Sequence, residues 1–297
     1  MLAGLLGLLY LDYWIERSTH GWVHVAPPRP AEGYGVAGVG LLVLLMIILP
    51  LGVTELAKLL TAEQVRPYRF IASLGAGLLI LHGFLTQFPW FQNIATSTLA
   101  FIIVLAMILA AVRRASGRHT QEAITRMAGT VLAILYLGGL GWFLMALRVK
   151  HSINQAHGFQ GSTQAVVMIL LVVKFTDIGA YFGGKSLGRH KLIPWLSPGK
   201  TWEGLICGLI TAGLIGLGCA LRWSDALSTM HPWYKPIIFG IVIGLVGQGG
   251  DLLESLMKRD AEVKDSGKLV PGFGGLLDII DSPLLAAPAA YLLFSLF

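Results

Sequence analysis

The chain has 297 residues, of which 55% are hydrophobic and 13% charged, with a formal net charge of +6 and a mean hydropathy of +0.71. Soluble domains carry about 25% charged residues, so this composition excludes a soluble globular protein and marks an integral membrane one. Cys207 and Cys219 both lie in apolar surroundings without a metal-ligand spacing, which argues against a disulfide framework or a zinc site.

Apolar runs recur near 1–15, 34–53, 70–88, 94–112, 127–147, 163–183, 203–221, 236–257 and 283–297. Each is predicted to be a helix, because lipid forces a spanning backbone to satisfy its own hydrogen bonds. The first run lacks a basic leader and an A-x-A-like site before Asp12, so a cleaved signal peptide is not expected. "GYGVAG" at 33–38 fits G-x-G-x-x-G but opens an apolar span with no strand before it, and reads as helix-packing glycine. The last run is short and carries Pro283 and Pro288, which predicts a kinked or partial span beginning near Leu276. The expectation is an all-α polytopic membrane bundle of about nine transmembrane helices in one domain, 1–297. Within it, 1–150 is mainly scaffold and 163–297 carries the chemistry.

Fifteen of the 22 Lys and Arg residues fall in alternate loops, near 58–69, 113–126, 185–200 and 258–268, against six on the other side. The rich side is predicted to be cytoplasmic. That places the polar segments of the C-terminal half, and hence the active site, at the cytoplasmic face of a multi-pass protein. The plasma (inner) membrane is the expected location.

The first of those segments is "TDIGAYFGGKSLGRHKLIPWLSPGKTWEG", residues 176–204. Its "GKT" invites a P-loop reading, which fails because Pro194 stands where G-x-x-x-x-G-K-[ST] needs glycine. What remains is a loop with Lys185, Arg189, Lys191 and Lys200, hydroxyls at Ser197 and Thr201, and Glu203 opening the next span. Ser197 is expected to cap that helix, aiming its N–H groups at an anion. Ordinary positive-inside charge explains the same bases. Asp177, one turn after Lys174, suits either a buried ion pair or a ligand.

The second segment follows. Seven of the sixteen acids, Asp251, Glu254, Asp260, Glu262, Asp265, Asp278 and Asp281, fall within about thirty residues. An acid at membrane depth costs roughly 2.5–3.5 kcal/mol on insertion scales and usually faces a cavity, a partner or a metal. At helical spacing Asp251, Glu254, Ser255, Lys258 and Glu262 share one face. Read plainly, this is an amphipathic helix end with Glu254 and Lys258 paired at i, i+4. Asp278 and Asp281 form a second acidic pair, and two such clusters suit a hard cation such as Mg²⁺. Between them, "PGFGG" at 271–275 gives a backbone able to turn tightly and present N–H groups to a phosphate.

These residues resemble a known family. "SLMKRDAEVKDSGKLVPGFGGLLDIIDS", 255–282, is similar to the C-terminal signature of phosphatidate cytidylyltransferases, S-x-x-K-R, K-D, P-G-H-G-G and D-R-x-D. Ser255, Lys258, Arg259, Lys264, Asp265, Pro271, Gly272, Gly274, Gly275, Asp278 and Asp281 match it in place. Residues 177–204 resemble the family's D-x-G-A-Y and S-P-x-K-T-x-E-G segments through Ser197, Pro198, Lys200, Thr201, Glu203 and Gly204. Phe273 and Ile279 stand where the family has histidine and arginine. The resemblance implies an Mg²⁺-dependent nucleotidyltransferase that joins CTP to phosphatidate, giving CDP-diacylglycerol and pyrophosphate in phospholipid biosynthesis. It implies metal ligands at Asp251 and Asp278, and catalytic roles for Lys258, Arg259, Lys264, Asp265 and Asp281. Substrate contacts fall to Ser197, Lys200, Thr201, Glu203, Ser255, Gly274 and Gly275. Partners are the two substrates within the membrane, with no nucleic acid and with room for a homodimer. A non-catalytic paralogue that still binds lipid or nucleotide, and a transporter using intramembrane acids, are the other classes these features suit.

Overall fold

The structure is a computed structural model that describes residues 2–19, 35–118, 120–154, 158–224, 227, 230–263, 266–267 and 274–297. Every apolar run becomes helix. In chain order these are α1 (Leu2–Ser18), α2 (Val39–Ala62), α3 (Arg69–Leu85), the single turn α4 (Pro89–Gln92), α5 (Ala95–Ser116), α6 (Ala123–Ala133), α7 (Leu140–Asn154), α8 (Gly158–Leu187), α9 (Trp202–Arg222), α10 (Tyr234–Asp260) and α11 (Leu277–Leu296). Two strands, β1 (Lys191–Ile193) and β2 (Ser197–Thr201), lie between α8 and α9. The chain is a multi-pass membrane helix bundle. Among the described residues seven helical segments are long and apolar enough to cross a membrane, against the nine expected. The difference lies in α1 and α3, each 17 residues, which fall short of the roughly 20 that a perpendicular span needs.

Two local departures from the expected pattern have physical causes. The run 127–147 is not one continuous α-helix: α6 passes into α7 through a π-helical stretch, Ile134–Gly139. There Gly138 lies directly against the backbone of Ala76 on α3, a contact that any larger residue would block. The basic loop before α9, read from sequence only as a loop in an all-α fold, holds an antiparallel hairpin pairing Lys191 with Thr201 and Ile193 with Ser197. The last span begins at Leu277, as Pro283 and the apolar pattern suggested, and carries both prolines within a continuous 20-residue helix.

The helices that matter most for function are α8 to α11, packed on one another with α7 against α8 and α11. Apolar side chains supply little drive for association inside lipid, so close contact comes from small residues. Gly216 of α9 faces Gly240 of α10, where a Cβ would sit 3.3 Å from the opposing Cα. On α2, Val53 and Leu56 are fully buried, and a core of such residues runs from Leu41 to Ala290.

Arg148 of α7 counts in the sequence as a loop base, yet it is fully buried. Its Nε lies 3.0 Å from Asp12 Oδ2 and its Nη2 pairs with Glu16 Oε2, both acids of α1 and both fully buried. Asp12 also accepts the backbone N–H of Gly40 at 3.1 Å. A guanidinium suits this site because its planar fork reaches two carboxylates at once.

Candidate active site

The site is assembled where α8, the hairpin, α9, α10 and α11 meet. Sequence places Thr201 at the end of β2 with extended backbone, and its hydroxyl accepts the N–H of Gly204 at 3.1 Å. Thr201 is therefore the cap of α9, in place of the expected Ser197, which sits in β2 four residues too early to reach the orphan N–H groups. Thr201→Ala is expected to lower stability by about 1 kcal/mol, and Thr201→Ser by much less; thermal unfolding in detergent checks both. Glu203 closes the base of the hairpin: its carboxylate accepts the backbone N–H groups of Arg189 at 3.1 Å and His190 at 3.2 Å and meets His190 Nδ1 at 2.6 Å.

A cavity of about 490 Å³ opens beside this hairpin, lined by Asp177, Tyr181, Lys185, Ser197, Lys200 and Thr201 among others, and by Gln248 and Asp251 of α10. Small-molecule sites commonly span about 300–1,000 Å³. A polar relay crosses it. Lys200 Nζ lies 2.7 Å from Asp251 Oδ2 and 3.0 Å from Gln248 Oε1, and Gln248 Nε2 donates to Asp177 Oδ1 at 2.7 Å. Asp177 and Lys174 are 4.0 Å apart and both about half exposed, so they do not form the buried ion pair considered from sequence. Asp177 faces the cavity, and Gln248 is its firmer partner.

Beside the cavity, behind its wall residue Asp251, Glu254 of α10 and Asp281 of α11 complete an acidic trio. One carboxylate oxygen from each lies within 4.8 Å of the others. Glu254 is 1% exposed and Asp281 2% exposed, whereas Asp251 opens toward the cavity. Glu254 Oε1 and Asp281 Oδ2 are buried without a hydrogen-bond partner among the described residues. Buried carboxylates this close repel unless a cation or proton lies between them, and oxygen-only ligands suit Mg²⁺. The trio therefore fits a divalent cation by its donor chemistry and by its two unsatisfied oxygens.

Asp278 stands outside that trio. Its Oδ1 is 2.8 Å from Lys258 Nζ, while Oδ2 accepts the backbone N–H of Gly275 at 2.6 Å and of Ser266 at 3.4 Å. Lys258 also meets Glu254 at 3.1 Å, the i, i+4 pair expected from sequence, so it links Asp278 to the trio. It supplies the cation beside Asp278. Ile279 itself is buried, 8% exposed. Arg259 Nε reaches the carbonyl of Leu196 at 3.4 Å, tying the end of α10 to the hairpin turn. Ser255 is half-buried on α10. Gly274 has φ of +91°, a left-handed conformation that favours glycine. Lys264, Asp265, Pro271, Gly272 and Phe273 lie outside the described residues.

Sequence reasoning passed over three residues. Glu254 belongs to the acidic cluster that shares a face with Asp251, yet the ligand set expected from the resemblance leaves it out in favour of Asp278. Gln248, three residues before Asp251, carried no charge to draw notice. Glu55, just past the apolar run 34–53 and followed by Leu56 and Ala57, carried a signal of the same kind as Asp251.

The comparison with known proteins now bears on this arrangement. The family model described as the cytidylyltransferase family matches residues 34–297. The chain belongs to the cytidylyltransferase family. A phosphatidate cytidylyltransferase of Bacillus subtilis is 32% identical over 265 residues, covering 87% of this chain and 91% of that one. Phosphatidate cytidylyltransferase 4, chloroplastic, of Arabidopsis thaliana is 33% identical over 241 residues, covering 76% of this chain and 58% of that one. The uncharacterized protein YnbB of Escherichia coli is 38% identical over 173 residues, 58% of this chain and 53% of that one. The matched stretch thus spans little more than half the length of the Arabidopsis and Escherichia relatives. Every site residue named above lies inside the family match.

Proposed function

We propose that this family member transfers the cytidylyl group of CTP to phosphatidate, giving CDP-diacylglycerol and pyrophosphate. The observation that carries the reading is the carboxylate trio, with its two unsatisfied oxygens, joined through Asp251 to a cavity lined by Lys200 and the hairpin hydroxyls. The named relatives act on phosphatidate by their printed names, which supports the same substrate here.

In the reaction a phosphate oxygen of phosphatidate forms a bond to the α-phosphorus of CTP, and the α–β bridging bond breaks so that pyrophosphate leaves with the electron pair. We assign Asp251, Glu254 and Asp281 as the residues that would hold Mg²⁺, which when bound offsets charge on the nucleotide and its leaving group. Lys200 is the phosphate-facing cation, held in place by Asp251 and Gln248. Ser197 and Thr201 offer hydroxyls to the same phosphates, and Ser255 lies one residue from Glu254. Lys258 balances Glu254 and Asp278, and Asp278 holds the amides of the glycine loop in position. By the resemblance Lys264 and Arg259 complete the phosphate contacts, and Asp265 is a further metal ligand or an acceptor behind one. The chain forms one membrane domain in a plasma membrane, with this face cytoplasmic by the distribution of Lys and Arg.

The test is a pyrophosphate-release assay on purified protein in mixed micelles with Mg²⁺. Equal amounts of pyrophosphate and CDP-diacylglycerol are expected, each requiring both CTP and phosphatidate. Release of pyrophosphate without lipid product, or no release at all, would contradict the reading.

A further inference from the structure

Glu55 lies on α2, far in sequence from every motif of the site, and is fully buried. Its Oε2 accepts the backbone N–H of Leu277 at 2.8 Å and the hydroxyl of Ser266 at 3.4 Å. These two residues bracket the glycine loop on either side. The backbone closes so tightly on this carboxylate that a Cβ at Gly275 would sit 2.8 Å from Glu55 Oε2, and one at Gly267 would also strike the Glu55 carboxyl group. Asp278 grips the same two stretches from their other side, through the N–H groups of Ser266 and Gly275. The loop ends are thus clamped between two carboxylates from different helices. Asp278 passes that constraint to Lys258, and Lys258 to Glu254.

We infer that Glu55 is a positioning residue for the cytidylyl transfer: it pins both ends of the glycine loop, and through Asp278 and Lys258 it sets the place of Glu254 in the metal-binding trio. The inference rests on the proposed function for its catalytic readout only. Burying a carboxylate is costly unless it is hydrogen-bonded; Oε2 takes both donors, which are loop groups, while Oε1 is buried without a partner among the described residues. The glycines at 267 and 275 follow from the same contact. They are the residues that let the main chain reach a side chain of α2, so α2 belongs to the site although it carries none of the family signature.

The experiment compares wild type, Glu55→Ala and Glu55→Gln of the whole chain in mixed micelles. It measures kcat and KM for CTP, thermal unfolding, and amide hydrogen exchange in the segment 274–279. Glu55→Ala is expected to lose about 10–100-fold in kcat, the usual cost of removing a group that orients a ligand. KM for CTP should move little, and faster exchange should be confined to the Gly275 and Leu277 amides. Glu55→Gln keeps an acceptor oxygen on the same stem and should recover most of the rate. Wild-type kcat in Glu55→Ala would overturn the inference. So would a loss that comes with a general rise in exchange across α2, α7 and α11 and is not restored by glutamine, which is a purely structural role. Should the wild type turn over no CTP, the functional reading fails, and exchange still decides the clamp: lost protection at 275–277 supports it, and unchanged protection overturns it.

Discussion

Asp281→Asn is expected to lower kcat by at least about 1,000-fold while leaving the fold intact. The substitution keeps shape and removes one charge, so its effect falls on whatever cation the trio holds. Charge stabilisation by a bound metal is worth several kcal/mol, and about 1.4 kcal/mol is tenfold in rate. Glu254→Gln should match it, because Glu254 is as deeply buried and also has an unsatisfied oxygen. Asp251→Asn should lose as much and in addition free Lys200. For Asp278→Asn the expected pattern is different. Its oxygens are engaged by Lys258, Gly275 and Ser266, so the variant should show a smaller loss in rate and faster exchange at the glycine loop. Titrating Mg²⁺ against kcat for the four variants separates the roles. A raised Mg²⁺ requirement is expected for the trio only, and the same rise for Asp278→Asn with none for Glu254→Gln would return the metal to the pairing of Asp251 with Asp278.

Arg148→Met is expected to cost about 3–5 kcal/mol of stability, since removing one partner of a buried ion pair leaves uncompensated charge behind. Here two buried acids, Asp12 and Glu16, would lose their common cation. Arg148→Lys keeps the charge but not the fork that reaches both carboxylates, so an intermediate loss should follow. Unfolding monitored by helical signal in denaturing detergent measures both. A variant as stable as wild type would show that the triad contributes nothing net. The loss should appear in stability before catalysis, because Arg148 joins α1 to α7 and is not among the residues that line the cavity.

The helices were legible because lipid imposes one answer on an apolar run of span length. Asp251 and Glu254 could be placed on one face by helical spacing alone. That a second acidic pair could share a cation with them was also legible, but whether Asp278 or Asp281 makes the approach depends on how α10 and α11 pack. The hairpin was hidden by its size: strands of three and five residues around Pro194 and Pro198 leave no alternating pattern to read. Thr201 rather than Ser197 caps α9 because β2 extends to the helix, a fact about pairing and not about local composition. Glu55 lay outside the reach of any motif, because its partners are 211 and 222 residues away. The signal that could have found it was chemical: an acid in the middle of "PLGVTELAK" needs a reason to be there.

The most direct measurement follows the phosphorus. Purified protein is given CTP labelled at the α-phosphate, phosphatidate and Mg²⁺, beside the Glu254→Gln variant, and label is counted in the lipid fraction. The account predicts label entering CDP-diacylglycerol with the wild type, and at least about 1,000-fold more slowly with the variant, as a lost metal ligand requires. Label that never reaches lipid, or reaches it equally fast in both proteins, would contradict it.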